Sequence, residues 1–292
     1  MNETTKGAVG RILSDSGFRI KKHLGQNFLT DRNILDKIVR ESQIGPNTDV
    51  IEVGPGLGTL TSCLARTARK VLAYEIDAEL IPILEESLKE STNVTVLHKD
   101  ILKANVDDDI LAHLGDVSDA VVVANLPYYI TTPILMRFLE TSKRISRLVL
   151  MMQDEVARRV TSEPSTKDYN ALTVAIRYRA SSAYLFKVPR TVFTPQPNVD
   201  SAVVMVNVDS KPKNPSADEQ TFFEIVHRCF SQRRKTIINN LRDKSDLMNR
   251  DYWERILNLS GIDPMCRAET LKVDDFVRLA DVIYQERVRK QV

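Results

Sequence analysis

The sequence has little of what several classes of protein depend on. Its 292 residues include only three cysteines, Cys63, Cys229 and Cys266, an odd number spread far apart. This argues against a disulfide framework and against a zinc cluster. No apolar run approaches the roughly 18 residues of a membrane span, and the N-terminus has no apolar core of a secretion signal. We therefore expect a cytoplasmic protein without a membrane partner and without a bound metal.

Excess charge of one sign is also scarce, since the formal net charge is only +2. Residues 1–44 carry 8 basic against 5 acidic side chains, residues 211–292 carry 16 against 13, and the middle is mildly acidic. Mildly basic ends permit contacts with phosphates. Charge of this size is more often just an ordinary solvated surface, so it identifies no partner by itself.

What the sequence does contain, from residue 49 to about 153, is an alternation of short apolar runs and segments of helical periodicity. The apolar runs cover residues 50–53, 71–74, 94–97, 120–124 and 148–151. Runs of this length without clean alternation are typical of strands covered on both faces. Helical spacing appears at 60–68, 78–89 and 133–140. The repetition predicts a parallel, doubly wound α/β sheet with right-handed crossovers.

The last third of the chain has a different pattern. Residues 184–188 and 201–208 predict two further strands at one edge of the sheet. The prolines and small polar residues of 210–216 predict a linker. Beyond it, helical patterns at 222–230, 235–241, 252–259 and 273–284 occur with no strand signal. We therefore predict an α/β domain over residues 1–211, with a basic N-terminal segment, and an all-helical domain over 212–292.

Three glycines, Gly54, Gly56 and Gly58, follow the first predicted strand. Glycine lets the backbone adopt positive φ and approach a ligand closely. The spacing G-P-G-x-G is shorter than the dinucleotide fingerprint G-x-G-x-x-G, in which a helix N-terminus holds pyrophosphate. The turn therefore suits a nucleoside cofactor that carries no phosphate, although glycines after a strand often form only a tight turn.

Acidic side chains follow the next two predicted strands. Glu75 lies 21 residues after Gly54, where a carboxylate can accept both hydrogen bonds of a ribose diol. Asp100 can accept from the amine of a cofactor adenine, with Ile101 packing on its ring and Ile76 beside the cofactor. Asp77 is interpreted instead as the N-cap of a helix. Because ligands bind at the carboxyl edge of such a sheet, we expect these residues to meet there.

The stretch Asn125-Leu126-Pro127-Tyr128 follows the fourth apolar run. The Asn125 side-chain oxygen and the Leu126 carbonyl can each accept one N–H of an adenine amine, which favours a pyramidal nitrogen. Pro127 fixes the backbone, and Tyr128 can stack on the base. This set predicts a methyltransferase that modifies adenine without a catalytic histidine. The alternative, a plain strand end, is less compatible with the glycine turn upstream, and Tyr129 is interpreted as a packing residue.

The stretch from Phe193 to Ser201 is stiffened by Pro195 and Pro197 just before a predicted strand. From the residues alone, Phe193 is either a core residue or a second ring that faces the target base.

With these residues placed, the chain resembles the ribosomal RNA adenine N6-dimethyltransferase family from about residue 23 to its end. The resemblance rests on Leu24-Gly25-Gln26-Asn27-Phe28-Leu29, on residues 52–58, on Tyr74-Glu75-Ile76-Asp77, on residues 125–129 and on residues 193–197. It implies a Rossmann-like class I S-adenosylmethionine-dependent methyltransferase domain with a small helical C-terminal domain. It also implies S-adenosyl-L-methionine as methyl donor.

The target that the resemblance implies is two adjacent adenosines in the loop near the 3′ end of 16S rRNA, in a pre-30S or 30S particle. Each would receive two methyl groups, with a role in small-subunit biogenesis. The family positions at the cofactor correspond to Asn27, Leu29, Gly54, Gly56, Glu75, Asp100 and Asn125. The rings that sandwich the target adenine correspond to Tyr128 and Phe193. Leu126 stands at the second position of the motif, where the N-P-P-[YF] pattern of DNA adenine methylases has a proline, as the RNA branch leads us to expect.

Three alternatives remain beside this interpretation. One is an antibiotic-resistance methylase of 23S rRNA, which has a similar active site. Another is a non-catalytic RNA-binding assembly factor, and the third is an NAD-dependent oxidoreductase, disfavoured by the short glycine turn. The cluster Arg233-Arg234-Lys235 is our candidate for contact with rRNA phosphates, with an exposed helix start as the alternative. We expect the protein to be a monomer.

Overall fold

Apolar runs become buried strands in the computed structural model, which describes residues 7, 10–11, 14–21, 24–209, 212–242 and 250–291. Parts of the basic N-terminal segment, and Ser210 and Lys211 of the predicted linker, lie outside the described residues. The chain forms two compact units. The first is Met1–Ala157 with Ser182–Val208, and the second is Arg158–Ser181 with Asp209–Val292.

Nine strands occur among the described residues. Seven match the predicted runs and extend each of them by a few residues at most, and the two-residue strands at 28–29 and 193–194 were not predicted. In chain order, the strands are β1 (Phe28–Leu29), β2 (Asp49–Val53), β3 (Lys70–Glu75), β4 (Val94–His98), β5 (Ala120–Asn125), β6 (Ile145–Gln153), β7 (Ala180–Val188), β8 (Phe193–Thr194) and β9 (Ser201–Val208). The five parallel strands and the two later strands that the sequence predicts are thereby confirmed.

Helices connect these strands and make up most of the remainder. They are α1 (Arg32–Glu41), α2 (Thr59–Ala65), α3 (Ile81–Ser87), α4 (Val106–His113), α5 (Thr131–Thr141), α6 (Asp154–Thr161), α7 (Ala171–Arg179), α8 (Glu219–Cys229), α9 (Ile237–Leu241), α10 (Arg250–Leu259) and α11 (Val273–Gln291). The sequence analysis did not predict α1, α4, α6 or α7. It also began α3 too early, because the residues before Ile81 form a turn.

The main sheet has seven strands in the order β4-β3-β2-β5-β6-β9-β7. Neighbouring strands from β4 to β6 are parallel, and β9 runs antiparallel to β6. Successive crossovers move outward in one direction from β2 to β4 and in the other direction from β5 onward. Right-handed crossovers therefore place helices on both faces, which confirms a doubly wound α/β sheet. The strand order reverses between β2 and β5, and a crevice forms at the carboxyl ends of these strands.

The second unit is helical and has its own core around Trp253, Phe222 and Phe276, which are 0–1% exposed. Residues 158–181 also belong to this unit, so the expected division at residue 211 leaves out one of its parts. The reason is packing. The Tyr178 ring stacks on Phe222 with 4.2 Å between centroids, and the buried Tyr169 hydroxyl donates to the Leu271 carbonyl at 2.9 Å.

Among the described residues, no helix is long and apolar enough to cross a membrane. The three cysteines carry free thiols, and Cys63 and Cys229 are buried in the cores of the first and second unit respectively. Burial raises the pKa of both thiols. Apolar packing accounts for these two side chains.

Candidate active site

A cavity of about 1020 Å³, open solvent at its mouth included, lies at the carboxyl ends of the parallel strands of the first unit. Ligand sites in α/β sheets form at this edge, next to the reversal of strand order. The lining residues are 24–29, 52–56, 59–60, 74–76, 80, 99–101 and 125–130. The N-terminal segment thus supplies one wall of the cavity, and the ends of four strands supply the rest.

The glycine turn after β2 forms part of this lining. Gly54 has φ +70°, and a Cβ added to it would meet no atom within 4 Å, so its backbone borders open space. Gly56 has φ +59°, and an added Cβ would lie 3.0 Å from the Phe28 ring. A side chain at position 56 would therefore meet both backbone strain and a steric contact. The turn brings backbone to the cavity as the sequence predicts.

Glu75 and Ile76, at the end of β3, line the cavity at different depths. Glu75 is 4% exposed, and its carboxylate accepts the Gly56 N–H at 3.2 Å and the Asp77 N–H at 2.9 Å. Burial raises the pKa of Glu75, against the effect of these hydrogen bonds. Ile76 is 50% exposed and lies at the mouth.

Asp100 and Ile101 follow β4 and also line the cavity. Asp100 Oδ1 accepts the Leu102 N–H at 2.9 Å, which orients the carboxylate, and Oδ2 lies 3.7 Å from Lys103 Nζ. Ile101 is buried, at 5% exposure, and offers an apolar wall. The structure thus brings Glu75, Ile76, Asp100 and Ile101 to one cavity.

The Asn125 side chain has a defined orientation at the end of β5. Its amide nitrogen donates to the Asn27 carbonyl at 3.2 Å, so the side-chain oxygen points away from that contact. The neighbouring Pro127 carbonyl is already engaged, because it accepts from the Ile130 N–H and the Thr131 hydroxyl. Within the described part of the chain, neither Asn125 Oδ1 nor the Leu126 carbonyl receives a hydrogen bond. These two acceptors are therefore available to a ligand amine.

Tyr128 lines the same cavity with a half-buried ring. Its hydroxyl shares a 2.7 Å hydrogen bond with Ser201 Oγ at the start of β9, and this contact fixes the position of the hydroxyl end of the ring. Burial raises the pKa of the Tyr128 hydroxyl, which therefore remains protonated at neutral pH. Tyr128 can stack on a ligand ring, and an acid or base role at neutral pH does not suit it.

The N-terminal wall includes Asn27 and Leu29. The Asn27 amide donates to the Gly25 carbonyl at 3.0 Å, and its own carbonyl accepts from Asn125. Leu29 is 3% exposed and pairs with Phe193 in the two-stranded sheet of β1 and β8. The resemblance, rather than any pattern in the residues, assigned these two positions to the cofactor.

Phe193 is placed differently from the other expected site residues. Its side chain is 4% exposed and belongs to the apolar core cluster that contains Leu29, Val188 and Val203. It is absent from the cavity lining. Of the two interpretations that the sequence left open, this structure therefore shows the core position, one strand away from the cavity.

The cluster Arg233-Arg234-Lys235 lies in the second unit, on an exposed turn before α9. Helix α9 begins at Ile237, so all three residues precede it. Arg233 pairs with Glu269 at 3.2 Å, and no salt bridge from a described residue reaches Arg234 or Lys235.

Several residues of the cavity and its rim were missed by the sequence analysis. Glu52 is 1% exposed, its Oε2 has no hydrogen-bond partner among the described residues, and burial raises its pKa to about 8. The sequence signal that could have identified Glu52 is an acidic residue inside an otherwise apolar strand. Tyr129 was interpreted as a packing residue, but its ring is 56% exposed and lines the cavity, and a Cβ added to Gly25 would lie 3.3 Å from it.

Asp77 does not cap a helix, because α3 begins at Ile81 with Leu80 as its N-cap. Its carboxylate accepts instead from the Glu79 N–H, from Lys21 Nζ and from Gln26 Nε2. Nothing in the sequence indicated these last two contacts, because they join residues more than 50 positions apart.

The residues present fit a nucleoside cofactor. Glu75 offers a carboxylate to a diol, Asp100 offers one to an amine, and the glycine turn offers backbone where a Cβ on Gly56 would not fit. Apolar side chains of Ile76 and Ile101 can enclose a flat ring. No group of three or more His, Cys, Asp or Glu residues suited to a metal ion occurs among the described residues.

A family model described as "Ribosomal RNA adenine dimethylase" matches residues 17–285. The chain is 48% identical over 281 residues to the ribosomal RNA small subunit methyltransferase A of Geobacillus kaustophilus, which covers 96% of both chains. It is 46% identical over 280 residues to the protein of the same name from Bacillus cytotoxicus, which covers 95% of this chain and 96% of that relative.

Solved structures give the same fold. The 23S rRNA methyltransferase ErmE is 29% identical, and the match covers 88% of this chain and 100% of ErmE with a TM-score of 0.66. A dimethyladenosine transferase from Plasmodium falciparum is 24% identical, and the match covers 91% of this chain and 98% of that one with a TM-score of 0.73.

Proposed function

Because the chain belongs to the ribosomal RNA adenine dimethylase family, we propose that it methylates two adjacent adenosines of small-subunit rRNA. It is a ribosomal RNA methyltransferase with the Rossmann-like class I fold. The proposed target is N6 of both adenosines in the loop near the 3′ end of 16S rRNA, in a pre-30S or 30S particle in the cytoplasm. The observation that carries the chemistry is the pair of free acceptors, Asn125 Oδ1 and the Leu126 carbonyl, in the cavity.

The cofactor that we propose is S-adenosyl-L-methionine, which supplies an electrophilic methyl group on a sulfonium sulfur. Glu75 would accept from the ribose hydroxyls and Asp100 from the adenine amine, with Ile76 and Ile101 against the ring. The remaining expected contacts come from Asn27, Leu29, Gly54, Gly56 and Asn125. A cofactor without phosphate agrees with the short glycine turn, because no pyrophosphate has to be held at a helix N-terminus.

The adenine amine is a weak nucleophile because its lone pair is delocalised into the ring. Asn125 Oδ1 and the Leu126 carbonyl would each accept one N–H, which turns the lone pair out of the ring plane. The same two dipoles stabilise the positive charge that develops on the nitrogen. The proton can leave after transfer, so no general base is required, and the Asn125 orientation set by Asn27 is already the one that this role needs.

Aromatic rings would hold the target base. Tyr128 has its hydroxyl hydrogen-bonded to Ser201, which keeps its ring at the cavity, where it can stack on the base. We retain Phe193 as the proposed second ring, although it is buried in this structure. The backbone of Phe193 pairs with Leu29, which lines the cavity. Phe193 therefore lies next to the cavity, and its side chain would have to rotate into the cavity to contact the base.

RNA recognition would combine an extruded base with contacts to the backbone. A base in a folded rRNA loop reaches an enzyme cavity only when it is unstacked and turned out. Arg233, Arg234 and Lys235 are our candidates for phosphate contact, and the exposure of all three on one turn supports this assignment. Positive side chains of this kind position the protein and do not read sequence.

The experiment that tests the function offers two substrates at once. Purified protein is incubated with tritium-labelled S-adenosylmethionine, 30S particles that lack this modification, and 23S rRNA. We expect label in 16S rRNA as N6,N6-dimethyladenosine, and none with an Asn125→Ala control preparation. Label in 23S rRNA alone would assign the protein to the resistance methylases. Binding to 30S particles without any transfer would indicate an assembly factor.

The 23S target is the second candidate because ErmE has the same fold at 29% identity. The small-subunit assignment is favoured because the relatives that bear that name reach 46–48% identity over nearly the whole chain. A non-catalytic factor is disfavoured because both acceptors and the glycine turn are intact.

A further inference from the structure

One wall of the cavity is joined to the sheet by a small polar cluster, here called the clasp, made of Lys21, Gln26 and Asp77. Lys21 Nζ donates to Asp77 Oδ1 at 2.7 Å, and Gln26 Nε2 donates to Asp77 Oδ2 at 2.8 Å. The Asp77 side chain is only 2% exposed. Both carboxylate oxygens are thus engaged by the N-terminal segment in surroundings from which water is largely excluded.

The clasp also closes the N-terminal segment on itself. The Lys21 backbone N–H donates to Gln26 Oε1 at 2.7 Å, and the Leu24 N–H donates to the Lys21 carbonyl at 3.0 Å. Gln26 therefore uses both ends of its amide, one toward Lys21 and one toward Asp77. The next residue is Asn27, whose carbonyl orients Asn125.

On the sheet side, Asp77 is linked to the carboxylate that we propose for the ribose. The Asp77 N–H donates to Glu75 Oε1 at 2.9 Å, and Glu75 Oε2 accepts from Gly56 in the glycine turn at 3.2 Å. A continuous path of hydrogen bonds therefore runs from the N-terminal wall through Asp77 and Glu75 to the glycine turn. The Asp77 carboxylate makes the contacts on the N-terminal side of this path, and the Asp77 backbone N–H makes the contact on the sheet side.

Burial alone would raise the pKa of Asp77, but the hydrogen bonds from Lys21 and Gln26 hold it below its usual range. Asp77 is thus ionised at neutral pH. Hydrogen bonds to an ionised group in partly buried surroundings are among the stronger ones in proteins. Lys21 also pairs with Glu79 at 3.0 Å, but the Glu79 carboxylate is 63% exposed. An exposed ion pair contributes little to the free energy of folding.

We propose that Asp77 is a positioning residue that anchors residues 24–29 across the cavity and so sets how long the cofactor stays bound. The polar clasp acts together with apolar packing, because Phe18 and Ile20 pack on the cluster of Phe28, Leu57 and Leu84. This packing keeps the segment near the sheet when the clasp is broken. The clasp therefore controls the exact seating of Gln26 and Asn27, and not the folding of the domain. The inference rests on the proposed function only where it names the cofactor.

The test compares Asp77→Asn with the matched control Glu79→Gln, which removes the exposed acid that shares the same lysine. We measure the dissociation rate of S-adenosylhomocysteine, the KM for S-adenosylmethionine and kcat at saturating cofactor. For Asp77→Asn we expect dissociation and KM to rise about tenfold or more, with kcat within about threefold of wild type. For Glu79→Gln we expect changes below about twofold.

A split between KM and kcat distinguishes positioning from a general loss of structure. Equal dissociation rates in Asp77→Asn and Glu79→Gln would overturn the proposal. Hydrogen–deuterium exchange of residues 24–29, measured without cofactor, gives a second readout that does not depend on the proposed function. Faster exchange in Asp77→Asn with an unchanged melting temperature supports the clasp, and unchanged exchange contradicts it. Failure of the wild-type protein to bind either nucleoside would instead contradict the proposed cofactor.

Discussion

The role open to each polar residue of the cavity depends on which of its atoms already make hydrogen bonds within the protein. The Asn125 amide nitrogen donates to Asn27, and the Pro127 carbonyl accepts from two donors. Asn125 Oδ1 and the Leu126 carbonyl remain available among the described residues. Two preoriented acceptors stabilise a developing cation without reorganisation at the moment of reaction. Methyl transfer at this site therefore requires no acid–base residue.

The substitution Asn125→Ala tests this requirement. It removes one of the two acceptors, and we expect methyl transfer in a single turnover to fall by at least about 100-fold. The side chain is only partly buried, so we expect the melting temperature to change by a few degrees at most. Near-normal transfer by a folded Asn125→Ala protein would contradict the proposed mechanism.

Two substitutions at Tyr128 test the contributions of its ring and of its hydroxyl separately. Tyr128→Phe keeps the stacking surface and loses only the bond to Ser201, so we expect a loss of less than about tenfold in kcat/KM for 30S particles. Tyr128→Ala also loses stacking worth about 1–3 kcal/mol, or roughly a 5- to 160-fold loss. Equal losses in the two variants would show that the hydroxyl, and not the ring, is the part that matters.

The raised pKa of the buried Glu52 predicts that the stability of the protein depends on pH. Burial raises its pKa from 4.5 to about 8, so between these values the folded protein keeps a proton that the unfolded chain releases. The free energy of unfolding should therefore fall as pH rises through this window, by about 1.4 kcal/mol per pH unit from this group. Glu52→Gln should flatten that slope in denaturant unfolding of the cofactor-free protein. The exposed Glu85→Gln is the control, and parallel curves for wild type and Glu52→Gln would contradict the assignment.

Part of the residue-level site could be predicted from sequence. Asn125 and the three glycines follow apolar runs directly, so the topology alone brings them to one edge. The side-chain contacts could not be predicted. Lys21 and Asp77 are 56 positions apart, and their pairing depends on the path that the N-terminal segment takes over the sheet. Phe193 shows the same limit, because its burial depends on the pairing of β1 with β8.

At the level of elements, the turn between β2 and α2 is the most constrained segment. Gly56 combines positive φ with the 3.0 Å contact that any Cβ would make with Phe28. We expect Gly56→Ala to lower the free energy of unfolding by about 1–2 kcal/mol from the backbone alone, and by more through that contact. It should also weaken cofactor binding.

Gly261→Ala is the matched control for Gly56→Ala. Gly261 has φ +69°, but an added Cβ would meet no atom within 4 Å. It therefore carries the backbone cost without the steric contact, and it lies outside the cavity. Equal effects of the two substitutions on stability, measured by chemical denaturation, would show that the contact with Phe28 is relieved at no cost.

The strands were predicted more completely than the helices, and composition explains the difference. Parallel strands covered on both faces appear as continuous apolar runs that stand out from their surroundings. Helices α1 and α4 have a polar face, and α4 has three consecutive acidic residues in its first turn. Residues 158–181 join the helical unit through Tyr169 and Tyr178, a tertiary contact with no local signal.

For the molecule as a whole, charge predicts how RNA binding responds to salt. Reversal of Arg233, Arg234 and Lys235 to glutamate should weaken binding to 30S particles and make its salt dependence shallower. The control reverses three exposed cations of the same unit, Lys213, Arg250 and Arg289, with the same change in net charge. Filter binding over a range of salt concentrations gives both slopes. Identical slopes for the two triple variants would reject this phosphate contact.

Dimethylation of two neighbouring adenosines of 16S rRNA can be tested at the level of single nucleotides. The most direct measurement is mass-spectrometric mapping of 16S rRNA from 30S particles, lacking the modification, after incubation with the protein and S-adenosylmethionine. We expect two adjacent N6,N6-dimethyladenosines near the 3′ end, and unmodified adenosines with Asn125→Ala. A methyl group on another base, or at another atom of adenine, would contradict it.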